Sequence, residues 1–353
     1  ERSWRPLEEW ELANLAAPGP ATGRGAHWPL DARLRGRVRR LLRRPAPLSA
    51  IPSADAGAPG GVLVPEIFSP GVAAALPALF CASAGPRVAL FHDAIALQLP
   101  QCTPKGTVER FPAYLRELLQ FDGVAAVSED SREALVDYWR WLGAQKTPVV
   151  AAVTLGIDAP PPAGDAPPAG GIPTVLCVGS IEARKNHAAL LDACESLWSA
   201  DLRFRLHLVG MANSETGGPA LERIRALASA GRPLLYEGAL PDDGLEAAYC
   251  ACAFTVYPSL AEGFGLPVAE SLARGKPCLC RTTGALGEVS RDGGCLGIGG
   301  ASIQEIAAGI RRLLQSPAEL SALAGAARGR RFKTWDEYCA ELLGWMGTLR
   351  RAA

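Results

Sequence analysis

Short apolar runs alternate with amphipathic stretches along most of the chain. Runs rich in Val, Leu, Phe and Ala at residues 62–64, 88–91, 124–127 and 149–153 predict strands in the first half. Residues 174–178, 205–209, 234–236, 254–257 and 277–280 read the same way in the second half. Helical spacing fills the gaps at 131–142, 188–199, 221–230, 245–251, 267–273 and 303–314. Apolar strands separated by helices imply parallel sheets covered on both faces. Residues 158–173 hold six Pro and three Gly, which suit neither a helix nor a central strand, and they read as a linker. The expectation is an α/β chain of two doubly wound units, residues 1–157 and 174–334, with a cleft between them. In such sheets ligands bind beyond the C-terminal ends of the strands. Residues 1–60 show no convincing strand, although a doubly wound unit usually opens with one. The opening strands are therefore unclear, and the first unit is expected to be reduced or incomplete.

Composition narrows the classes. The 353 residues are 48% hydrophobic and 20% charged, which suits a soluble globular chain. Lys+Arg and Asp+Glu both number 36, so binding of nucleic acid through bulk charge is not expected. The most apolar region, residues 62–99, is broken by Pro65, Pro70, Pro77, Pro86 and Arg87, so no transmembrane helix is expected. The start, Glu1-Arg2-Ser3-Trp4, lacks both Met and a signal pattern, and the chain reads as trimmed or as a piece of something longer. Ten Cys occur singly or as C-x-C (Cys250/Cys252, Cys278/Cys280), with no C-x-x-C and four His. Free buried thiols in a reducing cytosol are expected, with no metal site. Residues 33–44, RLRGRVRRLLRR, place Leu34, Val38, Leu41 and Leu42 on one helical face among seven Arg. This segment is either a basic helix for an anionic membrane surface or a solvated face packed on its own domain.

Two segments carry chemistry. FTVYPSLAEGFGLPVAESLAR, residues 254–274, is a strand, a glycine loop and a helix opened by Pro267. Glu262 and Glu270 are separated by seven intervening residues, with Gly263-Phe264-Gly265 after the first. Glycines let backbone N–H groups approach a ligand, and a helix N-terminus favours phosphate. Two carboxylates beside such a terminus suit hydrogen bonds from sugar hydroxyls. VGSIEARKNH, residues 178–187, is a strand end, a glycine turn and two adjacent cations before a helix. Arg184 and Lys185 could neutralise a diphosphate. Neither G-x-G-x-x-G nor the P-loop pattern occurs here.

Together these segments resemble the retaining glycosyltransferases of the GT-B fold, family 4 (group 1). YPSLAEGFGLPVAES is similar to that family's Glu-seven-residues-Glu motif, and VGSIEARKNHAALLDA to its diphosphate-binding loop and helix. Phe91-His92-Asp93, FDGVAAVSEDSREAL, Leu155-Gly156-Ile157-Asp158, residues 284–289 and residues 332–343 are weaker echoes, so the likeness spans about residues 88 to 345. The resemblance implies that Arg184 and Lys185 hold the donor's diphosphate, in a loop that includes Gly179 and Ser180. It implies that Glu262 binds hydroxyls of the donor sugar, that Glu270 binds the ribose, and that Gly263, Phe264, Gly265 and Leu266 face sugar and phosphate through their backbone. His92 would sit opposite the anomeric carbon, and the segment with Gly238 and Leu240 would line the base. His92 and Glu262 are the catalytic candidates.

The resemblance further implies two Rossmann-like domains, with a last helix at 335–353 crossing back to the first. It implies transfer of a hexose from a nucleotide diphosphate sugar to a glycan or lipid-linked glycan with an α-linkage, without metal or other cofactor. GSIEARKNH looks closest to bacterial mannosyltransferases of surface polysaccharide assembly, which makes GDP-mannose the leading donor. The expected location is cytoplasmic, or peripheral on the inner membrane. Asp242-Asp243 are expected to cap a helix, Trp139 and Trp141 to serve packing, and His187 and His207 to be structural. Two alternatives remain: an inactive glycosyltransferase-like binding module and, more distantly, a nucleotide-dependent oxidoreductase.

Overall fold

A computed structural model describes residues 60–157 and 171–350. The readings of residues 33–44, of the opening segment and of most of the proline-rich linker lie outside the described residues. Before the linker, β1 (Val62–Val64), β2 (Arg87–Phe91), β3 (Gly123–Ala126) and β4 (Val149–Ala152) form a parallel sheet in sequential order. Between them run α1 (Pro70–Ala82), the single turn α2 (Ile95–Gln98), α3 (Lys105–Glu117) and α4 (Glu129–Leu142).

After the linker come β5 (Thr174–Val178), α5 (His187–Ser199), β6 (Arg205–Val209), α6 (Gly218–Ser229), β7 (Leu234–Glu237) and α7 (Asp242–Ala251). They are followed by β8 (Phe254–Tyr257), α8 (Leu266–Ala273), β9 (Cys278–Arg281), α9 (Gly284–Ser290) and β10 (Cys295–Ile298). Helices α10 (Ile303–Gln315), α11 (Pro317–Arg328) and α12 (Trp335–Thr348) complete the described chain. This sheet is parallel in the order β10-β9-β8-β5-β6-β7. Its strand order reverses between β5 and β8, and in sheets of this kind ligands bind beyond the C-terminal ends of the strands at such a switch point. Every residue of β8, and all of β5 except Thr174, is buried. Burial on both faces is why these strands read as unbroken apolar runs.

Sequence patterning missed several elements for physical reasons. Helices α1 and α3 each contain an interior proline, Pro77 and Pro112, which normally breaks a helical pattern. Strand β10 contains Gly297, which interrupts an apolar run, and a Cβ there would lie 2.3 Å from the Thr282 methyl carbon. Residues 284–289, one of the weaker echoes of the family, form most of α9.

Helix α12 lies on the first sheet. Tyr338 and Leu342 form one buried cluster with Leu90, Ala125 and Val153. Gly123 is required beneath it, because a Cβ there would come within 2.8 Å of the Trp345 ring. Ile157 N–H donates to the Lys333 carbonyl at 2.7 Å, tying the end of the first unit to the segment that enters this helix. Trp139 is 1% exposed with its indole N–H donated to the Leu115 carbonyl, whereas Trp141 is 80% exposed.

Candidate functional site

The loops that follow β5 and β8 meet at the switch point. Gly179 leaves β5 at φ +152, and a Cβ on Gly210 would lie 1.9 Å from the Gly179 carbonyl oxygen. Backbones of the β5 and β6 loops therefore touch, which only glycine permits. The chain then turns once at Ala183–Lys185 and enters α5 through Asn186 at φ 58, in the left-handed region that Asn tolerates. This turn aims Arg184 and Lys185 at the β8 loop. Arg184 accepts Leu260 N–H on its carbonyl at 2.8 Å, so the two loops are joined through the backbone as well.

Glu262 stands between both cations. Lys185 Nζ donates to its Oε1 at 2.5 Å, and Arg184 Nη1 donates to its Oε2 at 2.7 Å. Arg184 also reaches the Ala261 carbonyl at 3.2 Å and pairs with Glu182 at 2.8 Å, while the Ser180 hydroxyl donates to Glu182. The Glu262 side chain is 9% exposed. Burial pushes its pKa up, but the charges of Lys185 and Arg184 and hydrogen bonds from Lys185 and Ser259 outweigh burial and bring it down to about 2. Glu262 is thus a carboxylate at any physiological pH. It can accept hydrogen bonds from hydroxyls but holds no proton to give. Because its pKa is depressed from 4.5, the cluster's stabilisation is complete above about pH 4.5 and is lost as pH falls towards 2. The melting-temperature gap between wild type and Glu262→Gln is therefore expected to be constant from pH 7 to 5 and to narrow below; a gap that widens on acidification would contradict this.

Glu270 is the fifth residue of α8 and accepts from the Tyr249 hydroxyl at 3.3 Å. Gly265 opens α8 at φ +99, with Pro267 in its first turn. Phe264 and Leu266 pack against the core of the second unit, leaving their backbone as the part that can address a ligand. Gly238 and Leu240 follow β7, and a Cβ on Gly238 would touch Met211 Sδ at 3.3 Å. The residue capping α7 is Pro241, so Asp242 and Asp243 occupy the first turn rather than the cap, where their charge still favours the helix dipole. His187 is buried at the start of α5, and burial lowers its pKa to about 4; His207 pairs with Glu237 at 2.7 Å.

The first unit closes the other side. His92 follows β2, with Nε2 2.8 Å from the Pro65 carbonyl oxygen. A Cβ on Gly263 would come 2.3 Å from the His92 carbonyl oxygen, so Gly263 is forced by the approach of the two units. Ser128, the cap of α4, accepts Ser131 N–H and donates its hydroxyl to the Gly263 carbonyl at 2.6 Å. Glu288 of α9 accepts from the N–H groups of Glu129 and Asp130 at 3.0 and 2.7 Å, capping α4 from the opposite unit. Asp93 lies at this junction. Burial raises its pKa, against the Ile95 N–H and the charge of Arg184.

Ser128 and Glu288 could not be given these partners from sequence, because the partners lie 135 to 159 positions away. The only sequence-level trace is Gly263, whose glycine is needed for a contact across units. Spacing alone also failed to gather Cys278, Cys280 and Cys295, whose sulfur atoms lie within 4.8 Å of one another.

Residues 172–316 match the family of glycosyl transferases group 1. The chain is 28% identical over 264 residues to O-antigen chain mannosyltransferase B of Escherichia coli, covering 70% of this chain and 67% of that protein. It is 25% identical over 216 residues to the serotype-specific mannosyltransferase WbdA of Escherichia coli, covering 57% of this chain but only 26% of WbdA. Among solved structures, HepE of Anabaena in complex with UDP and glucose superposes with a TM-score of 0.66 at 17% identity, covering 81% of this chain and 78% of HepE. The two parallel-sheet units have the GT-B fold.

Proposed function

We propose, for a chain whose residues 172–316 match the group 1 glycosyl transferases, that it moves a hexose from a nucleotide diphosphate sugar to a glycan or lipid-linked glycan with retention of the α configuration. Mannose from GDP-mannose is the leading donor, in line with the two mannosyltransferases it resembles. The observation that carries this reading is Glu262, ionised and held by Arg184 and Lys185 at the switch point.

As the bond from the anomeric carbon to the diphosphate oxygen breaks, negative charge develops on the leaving group. Arg184, Lys185 and the N–H groups at the start of α8 stabilise it. Glu262 orients the sugar by accepting from its hydroxyls, Glu270 takes the ribose, and the Gly238–Leu240 segment lines the base. His92, on the far wall of the cleft, faces the transferred sugar. The decisive test is a transfer assay with GDP-mannose and a mannosylated acceptor, with the new linkage read by NMR. An α-anomer is expected; a β-anomer would overturn the retaining assignment.

Because cations and a helix terminus do the electrostatic work, the donor reaction is expected to need no divalent metal. Activity in excess EDTA should equal that in Mg²⁺; complete loss restored by Mg²⁺ or Mn²⁺ would contradict it.

Among the described residues no helix is long and apolar enough to cross a membrane. A lipid-linked acceptor would instead be met peripherally, through the seven Arg of residues 33–44. The protein is expected to sediment with anionic vesicles at low salt and to be released as salt rises. Failure to sediment at low salt would make this segment ordinary scaffold.

A further inference from the structure

We propose that Cys278, Cys280 and Cys295 form a binding site for a thiophilic d¹⁰ cation, of the Zn²⁺ or Cu⁺ class, at the edge of the second sheet. The site follows from strand register. In parallel strands, residues two apart share a face, and Cys278 pairs with Cys295 across β9 and β10. Cys278, Cys280 and Cys295 therefore point to one side. Leu279 points to the other, where it meets Gly309 of α10.

All three sulfur atoms lie within 4.8 Å of one another. A metal with three thiolate ligands at about 2.3 Å needs its sulfurs about 4 Å apart, which small side-chain rotations supply. The donor set is sulfur alone. That selects soft cations and rejects Mg²⁺, Ca²⁺ and Mn²⁺, which require oxygen.

The surroundings fit such a group. Cys278 and Cys280 are fully buried, whereas Cys295 is partly exposed on the edge strand, giving a path for entry. The positive charge of Arg330 acts on Cys295, and its guanidinium is fixed by the Val289 and Gly293 carbonyls and by the Phe332 ring. A fixed cation offsets the excess negative charge of three thiolates around a mono- or divalent ion. Each thiol that ligates releases one proton, so binding weakens as pH falls. A bound ion would join the edge strand β10 to β9 through sulfur as well as through the backbone.

The test uses the whole reduced protein, titrated with Cd²⁺ as a spectroscopic probe and with Zn²⁺ and Cu⁺ in competing arms. One equivalent of Cd²⁺ should give a thiolate-to-metal charge-transfer band. Zn²⁺ or Cu⁺ should abolish the band, and whichever does so at the lower concentration is the preferred ion. The band should be lost in Cys295→Ala and retained in Cys250→Ala, which removes a thiol outside the cluster. No saturable band in wild type, or an equal band in Cys295→Ala, would overturn the proposal. Should Cys295→Ala fail to fold by circular dichroism, iodoacetamide labelling of the wild type read by mass spectrometry decides. Cys295 protected by one equivalent of Zn²⁺ or Cu⁺ supports the site, and unchanged labelling with both ions refutes it.

Discussion

Replacing Lys185 by alanine is expected to lower kcat/KM for the nucleotide-sugar donor by about 10- to 100-fold. A charge-assisted hydrogen bond contributes about 1.5–3 kcal/mol, which converts to that range. Lys185 is 9% exposed and bonded to Glu262. The substitution therefore removes the proposed contact to diphosphate and also one of the two cations that hold Glu262 ionised and in place. Arg184 remains on the other carboxylate oxygen, so the fold should survive, with a melting temperature lower by roughly a few degrees. Steady-state kinetics together with a melting curve separate the two consequences. Turnover within twofold of wild type would remove Lys185 from the site.

Glu262→Gln and Glu270→Gln are expected to fail differently. Glu262 is tied to both cations, so its loss leaves two charges with one less partner, and kcat should fall by about 100-fold with weakened choice between donor sugars. Glu270 sits one turn into α8 beside Tyr249, and its proposed partner is the ribose. Its substitution should raise the dissociation constant of free nucleoside diphosphate by about tenfold and leave sugar choice intact. Calorimetric titration of GDP into both variants reads the difference. If only Glu262→Gln loses nucleotide affinity, the two roles are reversed.

The segments that form the candidate site were legible because each is local. The glycine loop, the two glutamates and the Arg-Lys pair each lie within a short segment that runs from a strand end into a helix. Buried parallel strands such as Thr174–Val178 and Phe254–Tyr257 announce themselves as apolar runs, and the structure keeps their bounds. What sequence did not reveal is relational. The cap that Glu288 places on α4, the double use of the Ser128 hydroxyl, and the convergence of three cysteines all depend on register and on the approach of two units. The direct bonding of Glu262 to Arg184 and Lys185 belongs to the same class. Spacing made all three residues candidates, but only the fold puts the carboxylate between the cations. Helices α1 and α3 were hidden by their interior prolines.

In the proposed function, the Glu262–Arg184–Lys185 cluster receives a nucleoside diphosphate and its sugar. A thermal-shift panel of GDP-, UDP-, ADP- and TDP-sugars against wild type and Lys185→Ala tests it most directly, because a ligand that binds only the folded chain raises its melting temperature. A saturable rise is expected with at least one nucleotide sugar, largest with GDP-mannose, and a much smaller rise in Lys185→Ala at the same concentration. No rise with any of the four at millimolar concentration, or an equal rise in the variant, would contradict it.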